Sequence, residues 1–101
     1  MTSDPVICGY VRSAFTPAKK GGLAKVRPDD LAAGVVDGLI KKYKIKVDDV
    51  EDLILGCAFP EAEQGMNLAR NVVFLSDLPK SVGGVTVNRF CASSMQAIHQ
   101  A

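Results

Sequence analysis

Short apolar segments alternate with amphipathic helical patterns along this chain, and that order constrains the fold more than any other feature. The apolar segments are rich in β-branched residues, as strands buried in a sheet are, and each precedes a helical periodicity. The order predicts an α/β fold with a parallel sheet whose strands are joined by right-handed crossovers. The predicted strands are Pro5–Val11, Leu53–Phe59 and Val85–Val87, and the predicted helices begin at Pro28, Leu68 and Ser93.

The first predicted helix has the clearest boundaries. Pro28 is tolerated in a first helical turn, and Asp29 and Asp30 favour the positive end of the helix dipole. An apolar residue then recurs at every fourth position, at Leu31, Val35, Leu39 and Tyr43, joined by Ala32, Val36 and Ile40 one place on. We expect this stripe to lie on the sheet. The polar, glycine-rich stretch Ser13–Arg27 before it predicts a long loop.

Composition excludes several classes of protein. The 101 residues carry 12 basic and 11 acidic side chains, so the broad positive charge that nucleic-acid binding needs is missing. The longest apolar run, Val50–Phe59, is interrupted by Glu51 and Asp52 and is too short to span a membrane. Met1–Pro5 show no secretory or transit pattern, and we therefore expect a cytoplasmic protein.

The end of the chain predicts an incomplete domain. Ala101 lies inside a helical pattern, without the glycine or proline that commonly follows a helix. We expect residues 1–101 to be a truncated piece of a longer chain. Three strands with helices on one face would leave much apolar surface open, so we expect this piece alone to be weakly stable.

The three cysteines do not form a recognisable framework. Cys8, Cys57 and Cys91 are far apart and lack a CxxC pair or a histidine cluster, which disfavours a zinc site or a disulfide scaffold. Cys8 and Cys57 lie within apolar predicted strands, so both are expected to be core residues.

Cys91 lies at the predicted turn between the strand Val85–Val87 and the last helix. In open parallel sheets, ligands bind beyond the carboxyl ends of the strands. The first N–H groups and the dipole of a helix there stabilise a thiolate, and they can hold the oxyanion of a thioester under attack. Acyl transfer through a covalent Cys91 intermediate suits this position. On geometry alone, an inert core cysteine remains the commoner case.

Three segments of the chain resemble thiolases. Residues Gly84–Ala101 resemble the active-site segment of that family, in which Val-Asn-Arg-x-Cys-Gly-Ser-x-x-Gln-Ala holds the acylated cysteine. Glu63–Arg70 and Lys20–Leu31 resemble stretches of the bacterial 3-ketoacyl-CoA thiolases of fatty-acid β-oxidation. The resemblance covers nearly the whole chain and implies that Cys91 is the nucleophile.

This resemblance implies both a fold and a reaction. The fold is a layered αβαβα arrangement. The resemblance implies that residues 1–101 are the truncated N-terminal part of the family's N-terminal domain, with the C-terminal half absent. The reaction is the cleavage of a 3-ketoacyl-CoA by CoA into acetyl-CoA and a shortened acyl-CoA. CoA and acyl-CoA are then substrates, and no metal or redox cofactor is expected. The implied assembly is a homodimer or homotetramer, with a β-oxidation complex as a further partner.

Two departures from the family pattern bear on this expectation. Ala92 stands where the family usually has glycine, and its methyl group could narrow the approach to the thioester. The histidines and second cysteine of the family's second half have no counterpart in this sequence, so the resemblance implies that the 101 residues alone are inactive. An acetoacetyl-CoA thiolase and a non-catalytic thiolase-like binding module stay open as alternatives. The string Val87–Ser94 disfavours a ketosynthase-like enzyme.

The other polar residues near Cys91 are expected to have structural roles. His99 lies eight residues later, about 12 Å along a helix, which is too far for a nucleophile–base hydrogen bond. Ser93 and Ser94 lack the context of a serine nucleophile and are expected to cap the helix. Asn88, Arg89 and Arg70 are expected to be structural hydrogen-bond or ion partners, and a role in shaping the acyl pocket stays open as the alternative. Because the family forms dimers or tetramers, the resemblance makes the face with Asn67 and Arg70 a candidate subunit contact.

Overall fold

The structure is a computed structural model that describes residues 3–101. Met1 and Thr2, which belong to the stretch where no leader is expected, lie outside the described residues. The regular elements are α1 (Pro28–Tyr43), β1 (Asp52–Gly56), α2 (Leu68–Leu75), β2 (Gly83–Val87) and α3 (Ser93–Gln100). Short 3₁₀ turns cover Val47–Asp49, Ala62–Gln64 and Phe90–Ala92. The predicted α/β class and its parallel strands are confirmed.

Helix α1 confirms its predicted start. Pro28 is its first residue, and Asp29 and Asp30 lie in its first turn. The helix ends where Lys44 adopts a left-handed conformation, with φ of 51°, and its N–H donates to the Ile40 carbonyl. The buried side of α1 packs against α2 and Leu53 through Ala32, Ala33, Val36 and Ile40. The predicted stripe therefore lies partly beside the sheet, where Leu31 and Val35 line an open groove.

The two strands form a parallel sheet with helices on both of its faces. Ile54 pairs with Val85 and Gly56 pairs with Val87. Successive residues of a strand point to opposite faces. Gly84 and Thr86 lie against the first turn of α2, whereas Gly56 lies against the first turn of α3. The expectation of helices on one face is therefore wrong, because the short connection after β2 carries α3 to the other face.

Two predicted strand boundaries are also corrected. The strand predicted over Leu53–Phe59 ends at Gly56, because its neighbour β2 ends at Val87. The Cys57 N–H still donates to the Val87 carbonyl at 2.9 Å, and the residues beyond it have no strand beside them. The strand predicted over Val85–Val87 begins earlier, at Gly83.

The predicted strand Pro5–Val11 is not a strand in the structure. Ile7 is 81% exposed, and Cys8, which was expected in the core, is exposed as well. The backbone of Tyr10 instead meets the side chain of Tyr43 at the end of α1: the Tyr10 N–H donates to the hydroxyl oxygen at 3.2 Å, and the hydroxyl donates to the Tyr10 carbonyl at 3.3 Å. A strand needs a ladder of backbone partners, and here a tyrosine hydroxyl takes their place.

A bidentate ion pair holds the residues that lead into α1. Arg27 Nε donates to Asp29 Oδ1 at 3.1 Å, and Arg27 Nη2 donates to Asp29 Oδ2 at 2.9 Å. The Asp30 N–H also donates to Asp29 Oδ1 at 2.9 Å. The hydrogen bond from Arg27 lowers the pKa of Asp29 below its ordinary value, against the opposing effect of desolvation.

Asp29→Asn is expected to lower the free energy of unfolding at neutral pH. Because the Asp29 pKa is lower in the folded than in the unfolded chain, its stabilising effect is present above the ordinary carboxyl pKa of about 4. That effect is lost as the pH falls through the folded-state pKa, so the difference between parent and variant should shrink in acid. Urea unfolding across this range measures it, with the exposed neighbour Asp30→Asn as control. A difference that does not change with pH would contradict this role for Asp29.

Candidate active site

Cys91 lies where the sequence predicts it, between the carboxyl end of β2 and the start of α3. It occupies the middle of the 3₁₀ turn Phe90–Ala92, and its side chain is exposed. Cys57, in contrast, is only 6% exposed and is confirmed as a core residue. Within residues 3–101, the Cys91 N–H donates to no backbone or side-chain acceptor. The thiol is therefore open to a substrate.

The residue before Cys91 has an unusual backbone conformation. Phe90 has φ of 47°, in the left-handed region that side chains other than glycine, asparagine and aspartate seldom enter. Its N–H donates to Asn88 Oδ1 at 2.9 Å, which closes an Asx-type turn. The side chain itself is 69% exposed, so packing does not account for the conformation. Strain of this kind persists only where surrounding contacts hold it, and here it turns the chain sharply at the nucleophile candidate.

Ser93 supplies the contacts that hold this turn. Its hydroxyl accepts from the Arg89 N–H at 2.8 Å and donates to the Phe90 carbonyl at 2.6 Å, and its side chain is buried. The expectation that Ser93 caps α3 is wrong, because the N-cap residue is Ala92 and no side chain caps this helix. Ser93 instead bonds backward to the two residues before Cys91. The same expectation for Ser94 is also wrong: its side chain is exposed and does not cap α3.

The unfolding free energies of Phe90 variants are expected to depend on how well the new residue tolerates a positive φ. Phe90→Val should be less stable than Phe90→Gly by about 2 kcal/mol, since a β-branched side chain is strained in this region and glycine is not. Phe90→Asn should resemble the glycine variant, because asparagine enters the left-handed region readily. Urea unfolding of the three variants measures the differences. Equal unfolding free energies would mean that the turn relaxes without positive φ.

The neighbouring charged and amide side chains make the structural contacts expected of them. Arg89 Nη1 donates to Gln96 Oε1 at 2.8 Å, which ties the turn to α3. Arg70 donates through Nη1 to the Val82 carbonyl, and its guanidinium lies 4.4 Å from the centre of the Phe74 ring.

Asn67 joins the start of α2 to β2. Its Nδ2 donates to the Gly84 carbonyl at 2.8 Å, and its Oδ1 accepts from the Thr86 hydroxyl at 2.8 Å and from the Arg70 N–H at 3.4 Å. The polar atoms of Asn67 are therefore bonded within the chain. The role of this face as a subunit contact stays a prediction.

Ala92 and His99 line a shallow groove along α3, together with Arg89, Met95 and Gln96. Ala92 has φ of −97°, so the backbone here does not require the glycine that the family usually has. His99 is exposed, and Cys91 is not among the residues that line this groove. Nothing in this arrangement gives His99 a contact with the thiol, and its non-catalytic role stays a prediction.

An apolar groove of about 670 Å³ lies between α1 and β1, away from Cys91, with Leu31, Leu55 and Phe59 in its walls. Cys57 also lines it, whereas Cys91 does not. Volume alone therefore does not locate the chemistry, and the exposed turn at Cys91 is the candidate site. Between residues 3 and 101, no cluster of His, Cys, Asp or Glu is suited to hold a metal ion. In the same range, no helix has the length and apolar character needed to cross a bilayer.

Comparison with known proteins gives one consistent result. Residues 5–101 match the family described as thiolase, N-terminal domain. The chain is 53% identical over 98 residues to a 3-ketoacyl-CoA thiolase of Acinetobacter baylyi and 52% identical over 98 residues to one of Acinetobacter baumannii. A 3-ketoacyl-CoA thiolase of Psychrobacter is 47% identical over the same length. Each alignment covers 97% of this chain and 25% of the relative, so the chain spans about a quarter of the length of these curated relatives.

Proposed function

The chain belongs to the thiolase family through its N-terminal domain, and from this we propose that the whole protein is an acyltransferase that cleaves 3-ketoacyl-CoA with CoA. The observation that carries the proposal is the position of Cys91: an exposed thiol on a strained turn, between the end of a parallel strand and the start of a helix. The names of relatives about 50% identical to this chain support the substrate class.

In the first half of the reaction, the Cys91 thiolate attacks the ketone carbon of the 3-ketoacyl-CoA. The bond between this carbon and the carbon next to the thioester then breaks, and its electron pair passes into the enolate of acetyl-CoA. A proton delivered to the carbon next to the thioester completes acetyl-CoA. The shortened acyl group stays on the Cys91 sulfur as a thioester. The Cys91 N–H has no acceptor within residues 3–101, so it can donate to the oxygen that becomes negative during the attack.

In the second half, the thiol of CoA gives up its proton, which replaces the one taken up when acetyl-CoA formed, and the CoA thiolate attacks the acyl-Cys91 thioester. The acyl group moves to CoA, the Cys91 thiolate is restored, and the product is an acyl-CoA two carbons shorter. CoA is therefore a substrate. No metal or redox cofactor is required, because the thioester carbonyl delocalises the carbanion and hydrogen-bond donors stabilise the enolate. A cytoplasmic homodimer or homotetramer is the assembly we propose for the whole protein.

A substrate panel tests this proposal. The purified full-length protein, meaning the complete translation product that contains these 101 residues, is incubated with CoA and 3-ketoacyl-CoAs of short, medium and long chain. We expect equal amounts of acetyl-CoA and of the shortened acyl-CoA, measured by liquid chromatography and mass spectrometry. Cleavage of acetoacetyl-CoA alone would replace the proposal with acetoacetyl-CoA thiolase. Absence of cleavage by a folded full-length protein would contradict it and favour a binding module.

A further inference from the structure

The backbone of α3 lies unusually close to the sheet at one residue, Gly56. A Cβ atom placed on Gly56 would stand 2.6 Å from the carbonyl carbon of Ser93 and 2.6 Å from Cα of Ser94, and it would also collide with the Ser94 N–H group. Non-bonded heavy atoms are ordinarily 3.5–4.0 Å apart, so α3 can occupy its place only because residue 56 has no side chain. Ser93 and Ser94 are the second and third residues after Cys91.

Gly56 is also fixed relative to the other end of the Cys91 turn. It pairs with Val87, the last residue of β2, and the Cys57 N–H donates to the Val87 carbonyl at 2.9 Å. The chain from Val87 to Ser93 therefore leaves the sheet beside Gly56 and returns to contact it. The strained Phe90 and the Ser93 hydroxyl bonds lie within this short span.

From these contacts we infer that Gly56, on a strand 35 positions before the nucleophile, is a positioning residue for Cys91. Its missing side chain sets the depth at which the first turn of α3 lies on the sheet, and that depth sets where the Cys91 thiol and N–H stand. The inference rests on the proposed function in so far as the thiol transfers acyl groups. A displacement of about 1 Å at a reacting group can cost about 100-fold in rate.

Gly84 offers a matched control in the same sheet. A Cβ atom on Gly84 would stand 2.6 Å from the backbone N of Arg70 and 2.8 Å from its Cα, in the first turn of α2. Gly84 lies on the opposite face of the sheet from Gly56. Gly84→Ala therefore imposes a similar steric conflict between a strand and a helix start, but at α2 and not at α3, the helix that directly follows the Cys91 turn.

The test compares Gly56→Ala, Gly84→Ala and parent in the full-length protein. Acetylation of Cys91 by acetyl-CoA is followed in time by mass spectrometry, and alkylation of Cys91 by iodoacetamide is followed in parallel. Urea midpoints give the folded fraction of each protein. We expect Gly56→Ala to be acetylated about 100-fold more slowly than the parent, and Gly84→Ala within about threefold of it, at comparable losses of stability. The rate of Cys91 alkylation should differ from that of the parent in Gly56→Ala but not in Gly84→Ala.

Val87→Ile keeps the test decisive if Gly56→Ala does not fold. Val87 is the partner of Gly56 on the face towards α3. One added methylene group there makes a smaller steric conflict with α3 than the methyl group of Gly56→Ala does. We expect about a tenfold slower acetylation for this variant. Parental acetylation in the folded Gly56→Ala protein, or an equal loss in Gly84→Ala, would overturn the inference. A parent that is alkylated but never acetylated would contradict the proposed function, and the alkylation rates would still decide the role of Gly56.

Discussion

Cys91→Ala is expected to lower the kcat of ketoacyl-CoA cleavage by at least about 10³-fold, because the covalent route through an acyl thioester is lost. The variant should fold normally, since the Cys91 side chain is exposed and makes no packing contact in either core cluster. Its urea midpoint should therefore equal that of the parent. The measurement is steady-state thiolysis of the full-length protein with saturating CoA.

Cys8→Ala is the matched control for this result. Cys8 is also an exposed free thiol, and it lies outside every helix and strand of the structure. Its removal should leave the rate within about twofold of the parent, whereas a general effect of losing a surface thiol would appear in both variants. A Cys91→Ala protein that keeps the parental rate would show that another group performs the attack.

Leu78→Ala is expected to lower the free energy of unfolding by about 3 kcal/mol. Leu78 is 8% exposed and packs with Val73 of α2 and with Val82, just before β2. Half-buried side chains of α1 and β1 complete this cluster, so the leucine joins three elements of the fold. Truncation removes buried methyl groups and leaves a cavity that the surrounding backbone fills only in part. Urea unfolding of the full-length protein measures the loss.

Leu75 is the matched control for the core substitution. It lies three residues earlier in the chain, at the end of α2, and is 49% exposed. Leu75→Ala removes the same atoms from a surface position and should cost less than about 1 kcal/mol. Similar losses for the two variants would mean that the cluster around Leu78 does not form in the whole protein.

The helices could be predicted from sequence because their signals are local. Pro28 with two aspartates marks the start of α1, and the spacing of Leu68, Val72 and Leu75 marks α2. The strands were harder, since a strand forms only where a neighbour supplies backbone partners. Pro5–Val11 has the composition of a buried strand, yet its backbone meets the Tyr43 hydroxyl instead of a ladder. No local pattern contains that information.

The candidate site likewise has one part that the sequence predicts and another that depends on contacts between distant residues. The position of Cys91 follows from the order of strand and helix, and its resemblance to the thiolase active-site segment follows from a short string of residues. The geometry around it depends on contacts between distant residues. Gly56 lies on the neighbouring strand and carries no sequence signal for its contact with Ser93. The positive φ of Phe90 has no signal either, because phenylalanine is not a residue that favours it.

Mass spectrometry of the full-length protein after brief exposure to acetyl-CoA tests the central claim most directly. Peptide mapping locates any acetyl group, and Cys91→Ala serves as the control. We expect one acetyl group, on Cys91 alone, which is removed when free CoA is added, because the acyl enzyme is an intermediate of both half-reactions. A folded protein that carries no acetyl group on Cys91, or that carries it on Cys8 equally, would contradict the assignment of Cys91 as the nucleophile.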